Sequence, residues 1–301
     1  MSDSRAFIEA LNLAYHEEEA AEYDGRHPEI FRDEAQRWEK IRQIAAEAKT
    51  KLGHPLTLLD VGTGTGFVPM RLLPIFSSDD RLILTDLTPA MLEKAKAALA
   101  AAGCLARVET IVTAADAIDV APWTIDVMTM NSVLHHLPDP EKFFGLADRL
   151  LASGGLLVVS HEPNIRHFHH PVVGTLDRLA RARDRFRRFL RPVPEPPFIA
   201  RVNARLIGRG VIRKPLPMSE IQRVVDIHSP TAGGDVDAGR GFDPRRLSGP
   251  VGRYRLEWSE TYRHFGKANP AKWQILAPFA RWIERTWPDA GALFTVILRK
   301  P

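Results

Sequence analysis

Cysteine is nearly absent: the 301-residue chain has Cys104 and no other, so no intramolecular disulfide can brace it. Long apolar runs are absent too. No stretch of about 18 apolar residues could cross a bilayer, and Met1-Ser2-Asp3-Ser4-Arg5 lacks the basic run and apolar core of a secretory leader. These absences exclude a disulfide-stapled secreted domain and a helical integral membrane protein, and the sequence reads as cytoplasmic. What is present is ordinary for a globular fold: 45% apolar and 26% charged residues. The length lies near the limit of about 250–300 residues at which single cores stop growing. The net charge of +4 is unevenly spread. Between Arg178 and Lys214, twelve Lys or Arg stand against two acids, Asp184 and Glu195, which leaves the rest of the chain net acidic. A basic excess confined to one segment is more informative than a high isoelectric point.

Apolar spacing predicts helix across most of 5–50, where Phe7, Leu11 and Ala14, then Trp38, Ile41 and Ala45, fall at helical intervals. A strand at 56–61 runs straight into Gly62-Thr63-Gly64-Thr65-Gly66, and a short helix begins near Phe67. A second strand, 81–85, ends at Asp86. Thr88 and Pro89 then open a helix that Gly103 stops, the usual Pro-at-start, Gly-after-end asymmetry. Strands at 107–112 and 125–130 follow. Asp139-Pro140 opens a helix that ends before Gly154-Gly155, and a fifth strand covers 156–160. Short apolar strands alternating with helices imply a parallel sheet covered on both faces.

The pattern breaks after Pro163. Residues 164–215 are arginine-rich and carry Pro192, Pro194, Pro196 and Pro197, so they read as an insertion or lid. Residues 231–250, rich in Gly and Asp, read as a loop. A strand at 254–262, a helix at 271–287 kinked at Pro278, and a strand at 292–298 restore order. The helix carries the stripe Leu276, Phe279, Ile283 and Trp287.

The chemistry lies in the loops after the strands. Glycines between a strand and a helix allow a sharp turn and bring backbone N–H groups close to a ligand. Here the fit to the dinucleotide pattern G-x-G-x-x-G is imperfect, because the third glycine is Gly66 and position 67 is Phe. Asp86, at the end of the second strand, stands where a carboxylate can accept hydrogen bonds from ribose hydroxyls. Asp116-Ala117 follows the third strand, Asn131-Ser132-Val133-Leu134-His135-His136-Leu137-Pro138-Asp139-Pro140 the fourth, and Leu150-Leu151-Ala152-Ser153-Gly154-Gly155 introduces the fifth.

With these four motifs in order, residues 56–163 resemble the class I S-adenosylmethionine-dependent methyltransferases, in particular the small-molecule branch that includes the ubiquinone and menaquinone methyltransferases. The resemblance implies an α/β, doubly wound and mostly parallel seven-stranded sheet with a reversed last strand. It divides the chain into a helical N-terminal cap (1–50), a Rossmann-like cofactor core (51–163), a helical insertion (164–232) and a segment completing the sheet (233–301). It also implies S-adenosylmethionine as cofactor and S-adenosylhomocysteine as product. Asp60 and the loop Gly62, Thr63, Gly64, Thr65 and Gly66 would hold the methionine end, and Asp86 the ribose. Leu87 and Met91 would pack near the adenine, Asp116 would read its amino group, and Ala117 would add a backbone contact. Asn131 would offer its carbonyl to the ammonium.

On the acceptor side, His136 and His161 are the candidate catalytic residues, with His135 expected to pack or cap. Glu162 and Tyr23 are the candidate acceptor contacts, and Tyr15, His16 and Phe31 accompany Tyr23 in a possible lid. A metal is not expected, since His161, His167, His169 and His170 lack ordered spacing and read as a solvated loop. The acceptor is expected to be a small organic molecule. Rival readings are a non-catalytic cofactor-binding protein, a nucleotide-dependent oxidoreductase and an RNA methyltransferase.

Three readings remain for the basic run from Leu176 to Arg191. It could be a lid helix with its apolar face on the core, an amphipathic helix (174–191) resting on an anionic membrane, or an RNA-binding element. No aromatic stacking platform or RNA-binding motif accompanies the charge, which disfavours nucleic acid.

Overall fold

The computed structural model describes residues 5–20, 35–191, 194–232, 237, 239–247, 253–265 and 277–301. Seven strands form one sheet: β1 (Thr57–Val61), β2 (Arg81–Asp86), β3 (Arg107–Val112), β4 (Ile125–Asn131), β5 (Leu151–Pro163), β6 (Arg255–Tyr262) and β7 (Leu293–Arg299). Their order is β3-β2-β1-β4-β5-β7-β6. The first five run parallel, and β7 is antiparallel to both β5 and β6. The sequence-based expectation of a doubly wound sheet with a reversed last strand is met.

The period-two alternation of each strand divides the core. Leu59, Val61, Met128, Met130, Leu157 and Val159 point to one face, where helix α5 (Pro140–Leu150) covers them with Phe143, Phe144 and Ala147. Leu58, Leu82, Leu84, Val127 and Val158 point to the other. There they meet Trp38 and Ile41 of α2 (Ala35–Lys49), Val68 and Leu72 of α3 (Phe67–Leu72), and Leu92, Ala95 and Leu99 of α4 (Pro89–Ala101). Asp139 caps α5 by accepting from the Lys142 N–H at 3.0 Å. Thr88 holds the same place before α4 but makes no side-chain cap bond; the Asp86 carboxylate accepts the Thr88 N–H instead, at 2.8 Å.

The helical segments outside the sheet are distributed less simply than their order suggests. Helix α1 (Arg5–Glu19) leaves the sheet and joins α8 (Pro197–Gly208) and α9 (Met218–Val225). Leu11, Ala14 and Tyr15 pack there against Phe198, Ile199, Val202, Leu206, Ile221 and Val225 in a separate small core. Glu18 accepts from Arg201 and Arg205, and Glu17 from Arg209. The segment 1–50 therefore serves two bodies: α1 builds the cap together with the insertion, while α2 belongs to the sheet.

Between β5 and α8 stand α6 (Ile165–His169) and α7 (Val173–Leu190). The histidines expected in a solvated loop are instead part of this helical corner. His167 is fully buried with Nδ1 2.8 Å from the Ala290 carbonyl, and His170 Nδ1 accepts the Val173 N–H. Among the described residues, the apolar contacts of α7 are made by its first turns. Val173 is buried against Ile283 and Ala290, with Leu176 partly buried beside them. Ile283 belongs to α10 (Ala277–Thr286); residues 271–276 of the helix expected there lie outside the described residues. The expected lid packing of the whole 176–191 face on the core does not occur: Leu179, Phe186, Phe189 and Leu190 are exposed.

Candidate active site

The carboxyl ends of β1, β2, β4 and β5 open onto a cavity of about 420 Å³ roofed by α1 and α9. Among the sequence-predicted residues, Gly62, Gly64, Asp86, Leu87, Met91, Asp116, Asn131, His136 and His161 line it, joined by Tyr15 and His16 from the roof. Asp60, Thr63, Thr65, Gly66, Ala117 and Glu162 stand outside the lining, and Tyr23 and Phe31 lie outside the described residues.

The glycine loop is shaped by its backbone. Gly62, Gly64 and Gly66 all have positive φ (64°, 55° and 96°), a region that favours glycine. A Cβ on Gly62 would come within 2.4 Å of Val133 Cγ2, whereas one on Gly64 would meet nothing within 4 Å. Gly66 faces away from the cavity, where a Cβ would lie 3.1 Å from the Ala95 Cα, so its role is to let α3 approach α4. Gly62 and Gly64 thus present bare backbone to the cavity, and Gly66 supports them.

Two carboxylates flank this loop. Asp60 is buried behind it and accepts from Thr129 Oγ1 at 2.6 Å, while its other oxygen, Oδ2, has no protein partner. Burial raises its pKa to about 7. Asp86 accepts from the Gly64 and Thr88 N–H groups at 2.9 and 2.8 Å, and burial raises its pKa against those bonds. An orphaned buried oxygen, bare glycine backbone and a second carboxylate suit a ligand with an ammonium, a carboxylate and a ribose diol. At the far end Asp116 accepts from Arg5 Nη2 at 2.7 Å, so α1 reaches over the place expected for the adenine. Ala117 is exposed, and its N–H donates to the Ala114 carbonyl.

The acceptor side is built around Glu162. Glu162 is not an acceptor contact here; it is fully buried behind the wall. It accepts from the backbone N–H groups of Val133 and Leu134 (both 2.8 Å) and His135 (3.1 Å), and it holds His135 Nδ1 at 2.8 Å. Burial opposes charge on His135, but the Glu162 charge and hydrogen bond, aided by Asp226, hold its pKa above the ordinary histidine value. His135 was expected only to pack or cap. Its pairing depends on β5, which sequence distance from the fourth motif conceals.

His136 has the opposite environment. Its Nδ1 donates to the Val225 carbonyl at 2.8 Å, fixing a tautomer whose Nε2 carries the lone pair. Burial, then the neighbouring His135 and His16, push its pKa well below the usual value, so the ring is neutral at physiological pH. Asp226 Oδ1 lies 3.3 Å from His136 Nδ1, and the His16 ring packs edge-on 5.2 Å away. His135, His136 and Asp226 place potential ligand atoms within 4.8 Å of one another, the one such trio among the described residues. His161 enters from a β-bulge: the β5–β7 register shifts between Ser160 and Glu162, and His161 has φ 60°. Such a bulge re-aims a side chain, and here it turns His161 to the cavity while Glu162 turns behind it.

Sequence reasoning missed Glu9, Asn12, Gln222, Asp226 and Ser229, all on the roof or next to it. The available signal was the Asp226-Ile227-His228-Ser229 cluster following an amphipathic helix. His228 joins this cluster to the fourth motif, its N–H donating to the His135 carbonyl and its Nε2 lying 3.0 Å from the Leu137 carbonyl.

A methyltransferase-domain family profile matches residues 59–157. The chain carries a class I S-adenosylmethionine-dependent methyltransferase domain. The ubiquinone/menaquinone biosynthesis C-methyltransferase UbiE of Francisella tularensis subsp. novicida is 26% identical over 142 residues, covering 47% of this chain and 53% of that protein. The malonyl-acyl-carrier protein O-methyltransferase of Hahella chejuensis is 34% identical over 108 residues, 36% of this chain and 37% of that one. The chain thus spans about half the length of these relatives or less. A SAM-dependent methyltransferase structure from Aquifex aeolicus aligns over 89% of this chain and 98% of its own, with 13% identity and a TM-score of 0.44. The profile match includes the methyltransferase motifs through His135 and His136 but none of α1, α8 or α9, so the roof of the cavity lies outside it.

Proposed function

We propose that this protein transfers the methyl group of S-adenosylmethionine to a small or medium organic acceptor bound beneath α1 and α9. The observation that carries the reading is one cavity bordered by both the Gly62–Asp86 cradle and the His135–His136–Asp226 cluster. Bound S-adenosylmethionine supplies an activated methyl group on a sulfonium. The Gly62 and Gly64 backbone and Asp60 hold its methionine end, with the Asn131 carbonyl as a further acceptor for the ammonium. Asp86 holds the ribose, and Leu87 and Met91 pack along the adenine.

The protein's largest task is alignment, which in favourable cases is worth roughly 7–11 kcal/mol. Where the acceptor loses a proton, His136 Nε2 receives it. The neutral tautomer set by Val225 makes that nitrogen basic, and Asp226 steadies the resulting charge. His135, held by Glu162, shapes the wall beside it, and His161 contacts the acceptor from the bulge. Tyr15 and His16 help exclude water from above.

The first test is thermal stability with S-adenosylhomocysteine, S-adenosylmethionine or NAD, for the native chain and for Asp86→Ala. A ligand at 100 times its Kd stabilises by about 2.7 kcal/mol. A shift with the two sulfur nucleotides that disappears in Asp86→Ala supports the reading, and a response to NAD alone overturns it.

A further inference from the structure

Helix α7 stands apart from the chemistry. It holds six arginines against two aspartates in 18 residues, and its apolar residues share one face. A helix of this composition in a globular fold normally turns that face to the core. Here Leu179, Phe186, Phe189 and Leu190 are between 62 and 79% exposed, although Val173 at the same helix's start is fully buried. The supporting helix α10 adds more of the same. Its Phe279 and Trp282 stack 6.0 Å apart and are 45 and 53% exposed.

We propose that α7, with the exposed aromatics of α10, docks in the plane of an anionic lipid bilayer. Leu179, Phe186, Phe189 and Leu190 enter the boundary between headgroups and acyl chains, and the flanking arginines meet lipid phosphates. A long basic helix with an exposed apolar stripe suits that environment, and Trp282 is the residue type favoured at the headgroup level. No helix among the described residues is long and apolar enough to cross a membrane, so the contact is peripheral.

Charge decides among possible occupants. A symmetric contact with a second copy would set one arginine-rich helix against another, placing like charges together. Nucleic acid would neutralise the arginines but would leave the leucines and phenylalanines without an apolar partner. An anionic membrane satisfies both halves of the helix.

The test is flotation of the full chain with phosphatidylcholine vesicles, with and without phosphatidylglycerol, at rising salt. Expected are binding only when phosphatidylglycerol is present and loss of that binding at high salt. Phe186→Ser with Phe189→Ser should weaken partition by more than tenfold with an unchanged melting temperature. Arg187→Gln and Arg191→Gln should each weaken it by roughly fivefold. The proposal fails if the native chain ignores anionic vesicles or if the phenylalanine variant binds them equally well. It also fails if sedimentation reveals a dimer that the phenylalanine variant abolishes, or if RNA binds in a way the phenylalanine variant leaves unchanged.

Discussion

Helices α7 and α8 come from the same arginine-rich insertion, yet the fold uses them in opposite ways. In α8 the apolar residues Phe198, Val202 and Leu206 are buried against α1, and Arg201 and Arg205 pair with Glu18. In α7 the apolar face is exposed past its first turns, and Arg181 pairs with Asp177 and Arg183 with Asp184 of the same helix. Amphipathicity therefore states that a helix has a face to cover, not what covers it. The partner decides: α8 has an acidic, apolar α1 beside it, and past its base the apolar face of α7 has no such cover among the described residues.

The largest test of this contrast is catalytic. Helix α8 belongs to the cap whose α9 ends at Val225, the partner of His136, while α7 reaches nothing in the cavity. Replacing His136 by Gln should lower kcat by roughly 10²–10⁴-fold for an acceptor that must lose a proton. Phe186→Ser should leave turnover of a water-soluble acceptor unchanged in the same steady-state assay.

Stability should separate the helices next. Leu206→Ala, at a fully buried site, should cost about 2–5 kcal/mol in urea unfolding. Leu179→Ala should stay within about 0.5 kcal/mol. Equal losses would mean that α7 is packed after all.

A smaller effect concerns the sheet side of the cavity, which neither helix touches. The free protein protonates Asp60 below about pH 7, whereas pairing with the cofactor's ammonium requires the carboxylate. Binding must then expel a proton, so S-adenosylhomocysteine affinity should fall as pH drops from 7 towards the ordinary Asp value, by at most about tenfold per pH unit. Calorimetry across that range should find the slope reduced in Asp60→Asn, and an unchanged slope would remove Asp60 from the site.

The smallest effect is the ion pairing that distinguishes α8. A double-mutant cycle on Glu18→Gln and Arg205→Gln should return about 0.2–1 kcal/mol, because the pair is partly exposed to solvent. Burial works against the Glu18 charge, but Arg205 and Arg201 outweigh it and hold its pKa below the usual Glu value. Its contribution is thus complete above the unfolded-state pKa and is lost as pH falls through the lowered folded value.

Much of the sheet was legible because its signals are local. The run from β1 through Gly62 to α3, and from β4 through Asp139 to α5, is written in contiguous residues whose period and punctuation need no distant partner. The site was half legible for the same reason: Asp86, Leu87, Met91 and Asn131 sit at strand ends and line the cavity as expected. The roles of the paired histidines were not legible. His135 and His136 are adjacent, yet one has its pKa raised by Glu162 from β5 and the other is kept neutral by burial, with its tautomer set by Val225 from α9. Similarly, nothing in Leu11 or Tyr15 announces that their partners are Phe198 and Val202.

That long-range pairing has a consequence for how the chain is made. Glu18 and Arg205 are 187 residues apart. At roughly 5–20 residues per second, α1 leaves the ribosome roughly ten to forty seconds before α8 exists to receive it. During that interval Leu11, Ala14 and Tyr15 have no native surface to rest on, while the five parallel strands β1–β5 are made without them. The roof over the cavity therefore closes after the strand ends β1, β2 and β4 have been made, so a nascent chain can have its cofactor cradle complete before it has anywhere to seat an acceptor.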